Sequence, residues 1–194
     1  MTRQSLIVMS LILIIILGAA YNLLGTSSNT SYTKSEFEAF VSGEMKKLTF
    51  YEVPKPLPDH IIELEDGTPA KLSSLKGKVL FINLWASWCA PCKYEMHDVA
   101  LLQQKLGGDR FEVVAINQDI GGLKRADRTL KEWKVNGLSL YADKRMNTAT
   151  KMAEGKLPTS YVVDKTGMII AEYIGPLDWA SADALLLFTK LINA

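Results

Sequence analysis

Cysteine and histidine are scarce in this chain of 194 residues, with two of each. At most one disulfide can therefore form within it. A zinc centre, which takes about four ligands, is not supplied either, because His60 and His97 have no partner at ligand spacing. Charge of one sign is missing as well. The 22 basic and 21 acidic residues leave a formal net charge of +1, so there is no basic face for nucleic acid and no acidic tail. Internal repeats and a phosphate-cradling glycine loop are absent. No cysteine follows a small-residue pair near the N-terminus, which excludes a lipoprotein.

What the chain does have is its two cysteines side by side, in Trp88-Cys89-Ala90-Pro91-Cys92. The run before them, 78–85 (K-V-L-F-I-N-L-W), reads as a buried strand, and 91–106 reads as a helix. One sulfur thus sits at a helix N-terminus, where backbone N–H groups and the helix dipole favour a thiolate. Such a thiolate, three residues from a second thiol, can attack a partner's disulfide and be released by its neighbour. Met96, Val99, Leu102 and Leu106 recur at helical spacing, and Cys92 falls on the same stripe. Cys92 should therefore face inward as the resolving thiol. Cys89, at the helix cap, should be exposed and act as the nucleophile. Pro91 is tolerated in the first turn, where no helical N–H is needed. A structural bridge is the blander reading, but closing so short a loop removes little chain entropy.

Residues 6–24 are almost wholly apolar, with Arg3 before them and no further charge until Lys34. A membrane-spanning helix needs about 20 apolar residues, so a single uncleaved N-terminal transmembrane helix is expected. A signal peptide cleaved at Gly18-Ala19-Ala20 competes with it, although Tyr21, Leu23 and Leu24 continue the apolar run. Both readings send the following domain outward by the positive-inside rule. The expected organisation is an anchor or signal segment at 1–24, a tether with a short helix at 25–53, and a core domain at 54–194. The tether begins with a Gly/Ser/Thr/Asn run, then Thr33-Lys34-Ser35-Glu36 opens a helix through a capping-box pattern. Phe37, Phe40 and Val41 lie on one side of it, and a Pro-rich stretch at 54–58 marks entry to the core.

Within the core, the pattern gives a hairpin at 60–64 and 70–72 around Asp66-Gly67. Next come the 78–85 strand, the 91–106 helix, a buried strand at 110–117 and a charged amphipathic helix at 123–135. A short helix at 146–153, a hairpin at 159–164 and 168–174, and a final helix at 179–192 complete it. Strands separated by helices make an α/β fold, a mixed central sheet with helices on both faces.

The W-C-x-P-C turn on a strand–helix junction resembles the active site of the thioredoxin superfamily. The order of elements is similar to a thioredoxin fold with an N-terminal strand extension and a central helix–strand insertion. That inserted layout resembles the membrane-anchored TlpA/ResA branch, and Pro54-Lys55-Pro56-Leu57-Pro58, Phe111-Glu112-Val113-Val114-Ala115 and Gly175-Pro176-Leu177-Asp178-Trp179-Ala180-Ser181 sharpen the match to TlpA-type proteins. The resemblance implies that Pro158 is a cis-proline facing the cysteines, leaving the backbone of Leu157 to pair with a bound peptide. Trp88 is expected as an exposed binding-surface residue.

Glu95 lies one helical turn beyond Cys92, and such pairs sit about 5–6 Å apart. A partly buried carboxylate there has a raised pKa and can take the proton of the resolving thiol. Members of the TlpA/ResA branch carry a glutamate at this place. Simpler thioredoxins use an aspartate on the central strand, where this chain has Asn83, so that role is vacant. Lys93, His97 and the run 124–128 read as solvated helix residues.

The implied protein is a thiol–disulfide oxidoreductase tethered to the bacterial inner membrane, with its catalytic domain in the periplasm, acting chiefly as a reductant. Ala90-Pro91 holds no residue that strongly stabilises a thiolate, which implies a potential nearer about −270 mV than the roughly −120 mV of a strong oxidant. A membrane electron-transfer thiol reductase is expected to recharge it, and no cofactor or metal is expected. The resemblance to TlpA implies clients among copper-handling or cytochrome oxidase assembly proteins. A cytochrome c maturation thioredoxin is the nearest alternative. That family usually has a G-V-x-x-x-P-E-T approach to its proline, where this chain has Glu154-Gly155-Lys156-Leu157-Pro158-Thr159. A copper-binding assembly factor would use wider C-x-x-x-C spacing and a histidine, and a peroxidase would want threonine at Ala86.

Overall fold

The computed structural model describes residues 34–39 and 41–194. The apolar run at 6–24 and Phe40 lie outside them, and no helix among the described residues is long and apolar enough to cross a membrane.

The run V-L-F-I-N-L-W forms strand β4 (Val79–Trp85), in which every residue is buried. A strand with no polar face has to be covered on both sides, and its alternation decides what lies where. Phe81 and Trp85 join one core cluster with Cys92, Met96, Val99, Trp179 and Phe188. Leu80, Ile82 and Leu84 join the opposite one with Ile62, Val114, Ala149 and Tyr161. Asn83 sits between Phe81 and Trp85 in the sequence, so period two turns it toward the cysteine side.

The elements run α1 (Lys34–Glu38), β1 (Thr49–Pro56), β2 (Ile61–Glu63), β3 (Pro69–Lys71), β4 and α2 (Ala90–Leu106), then β5 (Phe111–Asn117), α3 (Gly122–Glu132), β6 (Tyr141–Ala142) and α4 (Asn147–Ala153), and finally β7 (Thr159–Val163), β8 (Met168–Ile174) and α5 (Ala182–Asn193). One eight-stranded sheet takes the order β1-β8-β7-β4-β5-β6-β2-β3. β4 pairs parallel with β5 and antiparallel with β7, so the sheet is mixed. The fold is thioredoxin-like, with α3 and β6 as the inserted helix–strand unit and β1 to β3 as the extension.

Two stretches depart from the sequence reading. The apolar side of the tether's helix packs on the domain as expected, with Phe37, and beyond it Met45 and Leu48, buried in the cysteine-side cluster, but β1 runs across residues 53 and 54, the expected boundary, to pair with β8. Pro54 and Pro56 read as the entry to the core rather than as strand, because they cannot donate to a ladder. On an edge strand that loss is tolerated, and the register shifts between Phe50 and Lys55. The last helix begins at Ala182 rather than 179, because the Ser181 hydroxyl caps it by accepting from the Ala184 N–H at 3.3 Å. Residues 176–180 are thereby left as a loop beside α2.

Candidate active site

Cys89 is the cap residue of α2, and its sulfur accepts the Cys92 N–H at 3.2 Å. The two sulfurs are joined as a disulfide, with their Cα atoms 5.3 Å apart. Cys92 has no exposed surface and Cys89 is 5% exposed. The expected open nucleophile is thus nearly covered in the oxidised state, because its sulfur is turned back onto Cys92 and the first turn of the helix. The order of access still favours Cys89. In the reduced protein, alkylation at neutral pH should therefore label Cys89 and spare Cys92, as read by peptide mass mapping. Equal labelling of both thiols would overturn the assignment of roles. Trp88, 62% exposed, stands at the surface as expected.

The Leu157–Pro158 peptide bond is cis, and Pro158 is buried immediately before β7. Thr159 pairs with Leu84 near the end of β4, which sets Pro158 level with Trp85, where the chain turns into the cysteine loop. The Pro158 carbonyl accepts the Gly175 N–H at 2.9 Å. Leu157 is half-buried and packs on both core clusters, while its backbone has no hydrogen-bond partner among the described residues.

Glu95 is more deeply placed than its position on the helix suggests, at 2% exposure. One carboxylate oxygen accepts the Asn83 side-chain N–H at 2.8 Å. The other accepts the Leu177 N–H at 3.1 Å and the Trp179 indole N–H at 3.0 Å. Burial disfavours the charged form and raises the Glu95 pKa from 4.5 to about 7, against the pull of the three donors. Asp98, one turn further along α2, adds to the rise. A groove of about 270 Å³, lined by Tyr94, Glu95, Asp98, Leu177 and Asp178, opens onto this carboxylate from the surface.

Asn83, Leu177 and Trp179 are functional candidates that the sequence did not assign. Asn83 cannot take a thiol proton as an aspartate would, but it donates to Glu95 and, at 3.0 Å, to the Ser160 hydroxyl. The signal for Leu177 and Trp179 was present in the 175–181 motif, which served only as a mark of resemblance. The structure shows that motif bringing two donors to Glu95. His97 is exposed on α2 and takes no part. The site thus brings together a thiol pair at a helix cap, a buried glutamate of raised pKa one helical turn along α2 from Cys92, and an unpaired backbone segment beside a cis-proline. This arrangement can exchange thiols with a disulfide and move the accompanying proton.

Residues 52–186 match the Redoxin family. The chain is 30% identical over 128 residues to the thiol-disulfide oxidoreductase ResA of Bacillus thuringiensis, a match covering 64% of this chain and 70% of that protein. ResA of Bacillus subtilis is 30% identical over 122 residues, covering 62% of this chain and 66% of that protein. Among solved structures, a secreted thiol-disulfide isomerase from Corynebacterium glutamicum superposes with a TM-score of 0.63 at 24% identity. That match covers 79% of this chain and 96% of the other, and it shows likeness of fold.

Proposed function

The chain belongs to the Redoxin family and is a thioredoxin-like thiol–disulfide oxidoreductase, and from that premise we propose that it works chiefly as a reductant of client protein disulfides. The observation that carries the exchange chemistry is the Cys89–Cys92 pair at the cap of α2 with Glu95 buried one helical turn beyond it, and the reducing direction is supported by Ala90-Pro91, which holds no residue that strongly stabilises a thiolate. Reduction needs Cys92 to lose a proton at the moment it attacks, and a base matched to neutral pH suits that step. The Cys89 thiolate attacks the client disulfide, forming a mixed disulfide and releasing one client thiolate. The Cys92 thiol gives its proton to Glu95 and its sulfur attacks Cys89. That closes the Cys89–Cys92 disulfide and releases the second client thiolate. Two electrons pass to the client, whose thiolates take up two protons from solvent and Glu95. Trp88 and the Leu157 backbone offer the client its binding surface.

The apolar run at 6–24 supports an N-terminal anchor in the bacterial inner membrane with the domain on the periplasmic side. There a membrane thiol reductase recharges the pair. The 175–181 motif, by its likeness to TlpA, supports clients with cysteine pairs in copper-site assembly of cytochrome oxidase.

One experiment tests these assignments together. A full-length Cys92→Ser variant, expressed in the native cell, is expected to accumulate mixed disulfides in membranes washed with high salt. Captured copper-site proteins would support the client assignment, and captured apocytochromes would replace it with cytochrome c maturation. Recovery of the protein only in the soluble fraction would overturn the anchor.

A further inference from the structure

The cysteine loop is tied to the loop that follows β5. The Ser87 N–H and hydroxyl donate to the Asp119 carboxylate at 2.9 and 3.0 Å. Asp119 is itself buried and exchanges hydrogen bonds with Asn117, accepting at 2.7 Å and donating from its own N–H at 3.0 Å. One residue beyond each end of this clamp stands a large exposed apolar side chain, Trp88 after Ser87 and Ile120 after Asp119. Ile120 is 85% exposed, which is unusual apolar surface for a loop held this firmly.

A cation sits at the same place. Arg125 of α3 donates from Nε to the Ser87 hydroxyl at 3.0 Å. A Cβ on Gly121 would come within 2.8 Å of the Arg125 Cβ, so glycine there leaves room for the arginine stem. No carboxylate lies within ion-pair distance of the Arg125 guanidinium among the described residues, and Arg128 is exposed one turn further on. Arg125 lies on the solvated face expected of 124–128 and is exposed, yet it also reaches Ser87 of the cysteine loop. The groove that opens onto Glu95 has the opposite character, with Asp98 and Asp178 on its wall and Glu44 already paired to Lys47.

Resting on the oxidoreductase reading above, we propose that Trp88, Ile120 and Arg125 form a client-selecting surface. It takes a segment with an apolar residue beside its cysteine and a carboxylate side chain that reaches Arg125. The α3–β6 insertion is then the element that chooses clients, and the acidic groove turns the wrong orientation away.

The test uses the Cys92→Ser variant and the rate of mixed-disulfide formation with three probes. Two are disulfide-linked peptides that differ only in a glutamate or a lysine near the cysteine, and the third is bis(2-hydroxyethyl) disulfide. The glutamate peptide is expected to react roughly 5- to 10-fold faster than the lysine peptide at low salt, with the gap closing as salt is added. Adding Arg125→Gln should abolish the preference, read as each peptide's rate divided by that of the neutral probe in the same variant. Ile120→Ser should slow both peptides alike. Equal rates for the two peptides beside a normal rate for the neutral probe would overturn the selecting surface and leave the oxidoreductase reading standing. Failure of all three probes to react would overturn both.

Discussion

Glu95→Gln should slow resolution of the mixed disulfide at pH 7 by about 10²-fold, the lower end of what general-base assistance supplies. A thiol is acidic enough that the upper end is out of reach. In the unsubstituted protein the rate should rise with pH through about 7, as the Glu95 carboxylate loses its proton. In the variant that limb should disappear, and the rate should recover only at alkaline pH, where the thiol ionises unaided. Packing should scarcely change, because the side chains are nearly the same shape. Asn83 can adapt too, since its carbonyl oxygen is buried without a partner, and a half-turn of the amide presents that oxygen to the new N–H. Stopped-flow reduction of a small disulfide across pH 5 to 9 measures this, and superimposable profiles would remove Glu95 from the mechanism.

The same carboxylate fixes a stability slope of definite sign. Its pKa is 4.5 as the ordinary reference and about 7 in the fold, so between those values the folded state binds more protons than the unfolded. Stability of the oxidised protein should therefore fall as pH rises from about 4.5 to 7, by roughly 3 kcal/mol at most. Denaturant midpoints of the Glu95→Gln variant should lack this slope.

Legibility of this protein in its sequence follows the range of the interactions. The cysteine turn, the α2 stripe and the two hairpins are set by residues within a few positions of one another, and their boundaries fall within a residue or two of the reading. β1 was hidden because Pro54 and Pro56 carry a local strand-breaking signal, while their tolerance comes from β8 more than a hundred residues away. The Glu95 site is legible only in half. Its place one turn after Cys92 is local, but its donors come from Asn83, Leu177 and Trp179, up to 84 residues distant. Arg125 is a further case, since nothing in a run of charges says that one of them will reach Ser87, 38 residues earlier.

Trp179 gives the largest expected loss of stability. It has no exposed surface, packs against Phe81 with ring centroids 4.5 Å apart, and donates to Glu95 at 3.0 Å. Trp179→Ala should destabilise the domain by about 3–5 kcal/mol, the usual cost of removing a buried indole and leaving a cavity. Trp179→Phe keeps an aromatic ring against Phe81 but removes the donor together with part of the ring volume, and pH separates the two losses because only the donor's depends on the charge of Glu95. A donor to an ionised acceptor contributes about 1.5–3 kcal/mol, and this one favours the charged form of Glu95. Its removal should therefore raise the Glu95 pKa above about 7 and shift the rising limb of the pH–rate profile to higher pH. The stability loss in Trp179→Phe should be larger near pH 8, where Glu95 is ionised, than near pH 5, where the carboxyl is neutral and only the lost packing remains. Equal losses at the two pH values, with an unmoved rate profile, would show that Trp179 serves the core alone and that the Glu95 carboxylate is held by Asn83 and the Leu177 N–H.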